Sequence, residues 1–301
     1  MKIAVTGATG LIGSALCERL RKEGNEVLVI SRREGLSSPF AVVPWDPKSR
    51  EFDARRLEGI DALVHLAGET IAKRWTPAQK ERIRASRVQG TRLLVDGLRR
   101  LSKPPSVMVG SSAVGFYGNR GDEDLDETSG PGRGYLAEIC QAWEAETARA
   151  SELGTRVVSL RTGIVLSTKG GALAQMLLPF KLGLGGPVGS GKQWMSWIHI
   201  DDVVGGFQFA LQQAKLSGVA NLTAPRPARN AEFTKALGRS LGRPAFLPAP
   251  GFALKLIFGE MAQDLLLDGQ KVLPRRLEGA GYRFQHNDLD EALSDVLSSH
   301  K

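Results

Sequence analysis

The chain alternates short apolar runs with longer stretches in which apolar residues recur every three or four positions. The apolar runs predict buried β-strands at Lys2–Thr6, Val27–Ile30, Ala62–Leu66, Val107–Gly110, Arg156–Leu160 and Gly218–Leu222. The periodic stretches predict helices at Leu11–Glu23, Thr76–Leu101, Tyr135–Leu153 and Asp201–Gln213. Because strands buried on both faces and separated by helices form parallel sheets, the pattern predicts an α/β fold with a doubly wound parallel sheet.

The pattern changes after about residue 162. Residues 167–197 are rich in glycine and predict an excursion dominated by loops. From residue 231 two helical segments flank residues 243–250, whose three prolines exclude a helix and predict an extended linker. We therefore predict a larger domain of residues 1–165, which also receives about 198–225, and a smaller, C-terminal, substrate-side domain of residues 166–197 and 226–301.

A glycine-rich turn joins the first predicted strand to the first predicted helix. Gly7 allows the tight turn, Gly10 lets the backbone approach a pyrophosphate, and Gly13 lets helix and strand pack closely. The positive end of the helix then faces the anion. This context, strand then turn then helix, indicates a Rossmann-type dinucleotide site. The predicted contacts in the turn are Gly7, Thr9, Gly10, Leu11, Ile12 and Gly13.

The residues that close the second strand choose between the two pyridine dinucleotides. An acidic residue there would bind the adenosine ribose and select NAD, whereas arginine accommodates a 2′-phosphate. The chain has Ser31 and Arg32 at this point, and Glu34 lies too far along to be the obvious ribose ligand. Ser31 can donate to the phosphate and Arg32 can form a bidentate contact. The sequence therefore predicts NADP(H).

Composition and charge narrow the classes of partner. The net charge of +8 favours anionic ligands, which include phosphates and carboxylates. Basic residues do not alternate with aromatic ones in a stripe, so nucleic-acid binding is not predicted. No apolar stretch approaches the ~20 residues of a membrane span, and the first residues leave no room for a signal sequence. We expect a cytoplasmic protein with no membrane partner and two reduced cysteines, Cys17 and Cys140; the oligomeric state is left open.

Several motifs together resemble the extended short-chain dehydrogenase/reductases, in particular the atypical epimerase-family branch related to nucleotide-sugar epimerases. The resemblance covers essentially the whole chain and includes a C-terminal module specific to that branch. The matching segments are 6–13, 65–69, 86–91, 112–118, 160–163, 197–202 and, in the C-terminal module, 269–274.

The resemblance implies further cofactor contacts. Leu66, Ala67 and Gly68 would line the adenosine side, and Arg87 would lie beneath the nicotinamide half. Arg161 would contact the cofactor at a strand's carboxyl end, which is where ligands sit in open α/β sheets. The alternative for Arg87 and Arg161 is ion pairing with nearby acids.

The catalytic residues of that family are incomplete here. Its members that transfer hydride use a Tyr-x-x-x-Lys pair, but in this chain Leu136 and Cys140 stand at those two positions. Ser112 matches the family's substrate-polarising serine; the alternative is a serine that satisfies the local backbone. Tyr135, one place from the tyrosine position, and Tyr117 are the remaining candidates for proton transfer.

Other apparent motifs are set aside. Residues 186–193 nearly spell a phosphate-binding P-loop, but Gln193 stands where Ser or Thr must bind Mg²⁺. The four histidines show no metal-ligand spacing, so no metal site is predicted. Two hypotheses remain: an NADP(H)-dependent oxidoreductase or epimerase that acts on a small molecule, with anionic substrates favoured by the charge, and a catalytically silent NADP(H)-binding sensor or interaction protein.

Overall fold

A computed structural model describes residues 1–32, 38–47 and 52–298. The strands are β1 Lys2–Thr6, β2 Glu26–Ser31, β3 Ala41–Pro44, β4 Ala62–His65, β5 Val107–Ala113, β6 Asp124–Leu125, β7 Arg156–Thr162, β8 Ile164–Leu166, β9 Trp194–Met195, β10 Trp197–His199, β11 Gly218–Leu222, β12 Ala228–Arg229 and β13 Lys271–Val272. The α-helices are α1 Leu11–Lys22, α2 Pro77–Leu98, α3 Tyr135–Ala148, α4 Gly171–Lys181, α5 Ile200–Gln212, α6 Asn230–Leu241, α7 Gly251–Phe258, α8 Glu260–Ala262, α9 Arg275–Gly279 and α10 Leu289–Ser298.

Seven parallel strands form the central sheet, in the order β11-β7-β5-β4-β1-β2-β3. The chain leaves β1 in one direction towards β2 and β3, and then returns to the other side of β1 at β4. The strand order therefore reverses between β1 and β4, which is the point where open α/β sheets bind ligands. The predicted doubly wound parallel sheet is confirmed.

Helices cover both faces of the sheet, and each face has its own apolar core. One core packs α1 and α5 against the sheet through residues such as Leu16 and Phe207, and the other packs α2 through residues such as Leu94 and Leu98. Local signals position these helices: Thr76 caps α2 by accepting a hydrogen bond from the backbone N–H of Gln79, and Pro77 follows at the first helical position. The sheet is thus buried on both sides, as its continuous apolar strands require.

A third apolar core lies outside the central sheet. It is built mainly from α4, α6 and α10, with Trp197 and Phe233 fully buried within it. This core supports the predicted smaller C-terminal domain, whose boundaries stay a prediction. Among the described residues, no helix is long and apolar enough to cross a membrane.

The structure contains several elements that the sequence analysis did not predict, among them one helix and one strand of the central sheet. The loop prediction for residues 167–197 is wrong at Gly171–Lys181, which forms α4. Glycines before this segment and Pro179 within it suggested loops, yet the intervening Ala, Leu, Gln and Met residues are strong helix formers. The prediction also missed β3, which joins the sheet edge beside β2. Residues 243–250 contain no helix, as predicted.

Candidate functional site

The glycine-rich turn lies at the carboxyl end of β1, beside the point where the strand order reverses. Gly7 has φ of +69°, and a Cβ there would lie 2.8 Å from the backbone of Leu66 and Ala67. At Gly13 a Cβ would lie 2.2 Å from the carbonyl oxygen of Gly7. These two glycines therefore let strand, turn and helix approach more closely than any side chain permits. This is the packing that the sequence predicted for a dinucleotide turn.

The amino end of α1 is open to an anion. Gly10 is the residue just before α1 and provides no side-chain cap for the helix. The first turn of α1 holds no acidic residue. Thr9 and Gly10 are exposed, and Leu11 and Ile12 are partly exposed beside them. Unpaired N–H groups and the positive end of the helix therefore face solvent at this point, an arrangement suited to phosphate.

A chain of buried hydrogen bonds fixes the strand end opposite the turn. Thr6 Oγ1 accepts from the backbone N–H groups of Leu66 and Ala67, both at 3.1 Å, so its own proton points to His65 Nδ1 at 2.7 Å. His65 Nε2 then donates to Thr91 Oγ1 at 2.9 Å, and Thr91 donates to the carbonyl of Arg87. The fold thus ties β1, β4 and α2 together directly beneath Leu66 and Ala67. Sequence reasoning used Thr6, His65 and Thr91 only as parts of matching segments and gave none of them a role.

Gly68 and Arg87 lie in contact with each other beyond these hydrogen bonds. A Cβ at Gly68 would lie 3.2 Å from Arg87 Cζ, and Arg87 Nη1 donates to the carbonyl of Glu69 at 2.9 Å. The guanidinium also lies 4.9 Å from the ring centroid of Trp143. Burial lowers the pKa of Arg87 from its ordinary value. Arg87 therefore supports the loop after β4 through a backbone carbonyl, and its contact with a cofactor stays a prediction.

Ser31 and Arg32 end β2 at the same edge of the sheet as the turn. Ser31 is the last residue of the strand, and Arg32 is exposed just after it. Since β1 and β2 are parallel neighbours, with Thr6 paired to Ile30, both residues lie near the glycine-rich turn. Glu34, considered above as a ribose ligand, lies outside the described residues.

Ser112 and Arg161 meet at one partly buried carboxylate that the sequence did not single out. Ser112 Oγ donates to Glu144 Oε1 at 2.6 Å, and Arg161 forms a two-pronged ion pair with Glu144, with both N–O distances 2.8 Å. Arg161 is 3% exposed and forms the ion pair that was the alternative for it, and its contact with a cofactor stays a prediction. The one sequence feature that could have identified Glu144 is its position on the predicted helix, four residues after Cys140.

Tyr117 belongs to the same buried network. Its side chain is fully buried, its hydroxyl accepts from Arg161 Nη1 at 2.9 Å, and it lies 2.7 Å from Asn221 Oδ1. Burial raises the pKa of Tyr117 above its ordinary value. A buried phenol that already serves Arg161 and Asn221 is poorly placed to reach a substrate.

Tyr135 lies one place from the family's tyrosine position, and Cys140 occupies its lysine position. Tyr135 begins α3 and donates to the backbone carbonyl of Lys80 at 2.6 Å, with its ring centroid 5.0 Å from that of Trp75. Burial raises the pKa of the Cys140 thiol to about 11, so it stays protonated and uncharged. The position that usually supplies a lysine ammonium therefore carries no charge here.

The fold also gathers acidic and histidine side chains that the sequence spacing did not relate. Donor atoms of His199, Asp201, His286 and Asp295 all lie within 4.8 Å of one another. However, His199 Nδ1 accepts the backbone N–H of Asp201 at 3.1 Å, so the ring's proton lies on Nε2, 3.2 Å from Asp295 Oδ2. In this neutral form Nδ1 is occupied by the backbone N–H and Nε2 carries the proton, so the ring offers no lone pair to a metal ion.

Comparison with known proteins identifies the family. A family model described as the NAD dependent epimerase/dehydratase family matches residues 3–222, and a domain of unknown function, DUF1731, matches residues 249–296. Epimerase family protein MT2273 of Mycobacterium tuberculosis is 45% identical over 292 residues, which cover 97% of this chain and 96% of the relative. The human epimerase family protein SDR39U1 is 39% identical over 302 residues, which cover 99% of this chain and 100% of the relative.

The solved structures agree with this assignment. The crystal structure of human SDR39U1 isoform 2 with NADPH matches with a TM-score of 0.90 at 37% identity, covering 99% of each chain. The glycine-rich turn, the parallel sheet and the C-terminal module thus occur together in one family. The chain belongs to the NAD dependent epimerase/dehydratase family, as an atypical extended short-chain dehydrogenase/reductase that carries the DUF1731 module.

Proposed function

We propose that this protein binds NADP(H) and acts as an oxidoreductase or epimerase on a small molecule. The observation that carries the proposal is the geometry of the glycine-rich turn, where Gly7 and Gly13 leave no space for a Cβ and the helix end at Gly10 has no side-chain cap. Human SDR39U1, which was solved with NADPH, shares the fold over the whole chain and supports the same choice of cofactor.

Each part of the dinucleotide has residues suited to it. The pyrophosphate would rest on the backbone of Thr9, Gly10, Leu11 and Ile12, and the adenosine would lie against Leu66, Ala67 and Gly68. Ser31 and Arg32 would hold the 2′-phosphate, because a guanidinium binds phosphate oxygens through charge-assisted hydrogen bonds. When bound, the nicotinamide would supply hydride exchange.

Ser112 is the residue we propose to orient the reacting group of the substrate. Its single proton is donated to Glu144, so its oxygen is left to accept a hydrogen bond from a substrate hydroxyl. Arg161 holds Glu144 from the other side, and we propose that Tyr117 positions Arg161. Tyr135 is the remaining candidate for proton transfer, because it is partly exposed at the start of α3.

The choice of cofactor is tested by reversing one charge. We expect Arg32→Glu to weaken NADPH binding at least tenfold, since a charged hydrogen bond of about 1.5–3 kcal/mol is replaced by repulsion. NADH, which lacks the 2′-phosphate, should lose less than about threefold in affinity. Isothermal titration calorimetry of both dinucleotides measures the two effects.

Lys103→Glu is the matched control for this experiment. It makes the same change of charge at an exposed site before the amino end of β5, whereas the glycine-rich turn lies at the carboxyl ends of the strands. It should therefore leave both affinities unchanged. Equal losses of NADPH and NADH in Arg32→Glu would remove the phosphate assignment. No affinity of the wild-type protein for either dinucleotide would overturn the proposal itself.

A second function, a catalytically silent NADP(H) sensor, is favoured by one observation: the family's lysine position holds the uncharged thiol of Cys140. A screen of NADPH oxidation against diverse carbonyl compounds separates the two functions. We expect turnover with at least one compound, falling by about 10²-fold or more in Ser112→Ala while NADPH affinity is retained. Tight NADPH binding without turnover on any compound would instead establish the sensor.

A further inference from the structure

Large apolar side chains are exposed on one region of the molecule. Among the described residues other than Met1, these side chains are Leu178, Leu182, Leu184, Phe246, Leu247, Phe252, Leu256 and Ile257. They come from only two segments, the end of α4 with the loop after it, and residues 246–257, which include α7. Clustering of this kind marks an interaction site, because a surface normally exposes such residues singly.

Backbone hydrogen bonds hold the two segments side by side. Leu247 N–H donates to Gly185 O at 3.1 Å, Ala249 N–H donates to Pro187 O at 2.9 Å, and Gly189 N–H donates to Ala249 O at 2.9 Å. The loop after α4 is therefore paired with the strand-like residues that lead into α7. We call the exposed apolar and basic side chains of these two adjoining segments the apolar–basic face.

Helix α7 shows the exposure most clearly. It has the sequence Gly-Phe-Ala-Leu-Lys-Leu-Ile-Phe, and none of its residues is buried. Phe252 and Leu256, four residues apart on one side of the helix, are 79% and 80% exposed. A short apolar helix is normally stabilised by packing its apolar side against other elements. Among the described residues, the outer side of α7 therefore lacks the packing partners that its apolar sequence calls for.

The two segments that carry this surface contain basic residues and no acidic ones. Residues 169–200 and 233–259, which contain the whole surface, hold no aspartate or glutamate. The same two stretches carry seven exposed cationic residues, Lys169, Lys181, Lys192, Lys235, Arg239, Arg243 and Lys255. Arg239 is paired with Asp290 on α10. Lys181 adjoins Leu182, and Lys255 lies on α7 beside Leu256, so apolar and basic groups are interleaved.

We propose that the apolar–basic face lies on the surface of a membrane that contains anionic lipids. Phe252, Leu256 and their neighbours would enter the boundary between headgroups and acyl chains, while the lysines would meet lipid phosphates. A second copy of the chain docked face to face would place these cations against one another. An anionic bilayer, by contrast, satisfies the apolar groups and the cations together. The sequence-based expectation of no membrane partner rested on the lack of a span, and a helix can lie on a bilayer without crossing it.

Sedimentation with lipid vesicles tests the proposal. Full-length protein is mixed with vesicles of phosphatidylcholine alone or of phosphatidylcholine with phosphatidylglycerol, at low and at high salt. We expect the protein to bind the anionic vesicles, and its affinity for neutral vesicles to be at least tenfold lower. Salt should reduce binding to the anionic vesicles, because each cation near an anionic surface contributes an attraction that salt screens.

Two variants separate the apolar part of the interaction from the basic part. Phe252→Ser combined with Leu256→Ser removes the insertion, and Lys181→Glu combined with Lys255→Glu reverses the local charge; each should weaken vesicle binding at least tenfold. Lys103→Glu with Lys215→Glu makes the same charge change at other exposed sites and should leave at least half of the affinity. Since all the substituted side chains are exposed, circular dichroism melting curves should be unchanged.

Three outcomes would overturn the proposal. The first is no sedimentation with anionic vesicles at low salt. The second is vesicle binding that the control variant weakens as much as the charge-reversed one, which would mean attraction to the overall charge alone. The third is a dimer in light scattering that Phe252→Ser with Leu256→Ser dissociates, which would show that a second copy covers this face.

Discussion

His65 is the residue on which the site's internal order depends. It is fully buried, and its two ring nitrogens have opposite roles, since Nδ1 accepts from Thr6 while Nε2 donates to Thr91. Only the neutral imidazole can play both roles, because the protonated ring has two donors and no acceptor. Burial and the charge of Arg87 accordingly lower the pKa of His65 to about 4. Near neutral pH, His65 is therefore uncharged, and the hydrogen bonds that join Thr6, His65 and Thr91 stay intact.

The lowered pKa predicts a pH dependence of stability. The ordinary pKa of histidine is about 6.5, so the unfolded chain takes up a proton before the folded one does. The stability from neutral His65 is fully present above about pH 6.5 and is lost as the pH falls towards 4. The loss is about 3 kcal/mol over that window, at 1.36 kcal/mol for each unit of pKa difference. Urea unfolding measured at several pH values follows it.

His65→Asn supplies the comparison that isolates this residue from the carboxylates, which also titrate in acid. Asparagine cannot be protonated, so the gap in unfolding free energy between wild type and variant should narrow by about 3 kcal/mol between pH 7 and pH 4. Two curves that stay parallel over this range would show that His65 does not titrate as its surroundings indicate.

At the scale of elements, the alternation of apolar runs and helical periods was enough to predict most of the central sheet. Residues 2–6 and 218–222 form strands with the predicted bounds. The short strand β3 was not predicted, because four residues at a sheet edge give almost no periodic signal. Helix α4 was hidden by the glycines before it and by Pro179. Local signals of this kind are weaker than the tertiary packing that places Leu173 and Phe180 in the C-terminal core.

The candidate site shows the same division between local and long-range information. The glycine-rich turn could be predicted because each glycine's role depends on residues within one strand, turn and helix. Glu144 could not be connected with Ser112 and Arg161 from the sequence, since they come from α3, β5 and β7 and meet only when β5 and β7 pair. The contacts within a polar network of this kind depend on how the strands and helices are arranged. A single sequence can therefore suggest individual residues of the network, but it does not show which of them meet.

At the scale of the whole molecule, the C-terminal module is bound to the sheet domain through buried polar groups. Within the smaller domain, Ser196 Oγ accepts from the backbone N–H of Val272 at 2.9 Å and donates to the carbonyl of Gln270 at 2.6 Å. Asn221, at the end of the sheet's last strand, donates to the carbonyl of Leu273 at 3.0 Å. Strands β6 and β13 pair beside them. The module therefore continues the hydrogen-bonded structure of the sheet domain.

Asp202 links the two parts and predicts how they unfold. Its carboxylate is fully buried in the first turn of α5 and accepts the backbone N–H groups of Gln285 at 2.7 Å and His286 at 3.0 Å. Asp202→Ala would remove the carboxylate that accepts these two N–H groups, so we expect unfolding to require about 1.5–3 kcal/mol less free energy. The exposed neighbour provides the control, since Asp201→Ala should cost less than about 1 kcal/mol.

Urea unfolding followed by circular dichroism and by tryptophan fluorescence should give one shared transition for the wild type, because the links join both parts. Separate transitions would show instead that the module and the sheet domain unfold independently, and that Asp202 stabilises only the first of them.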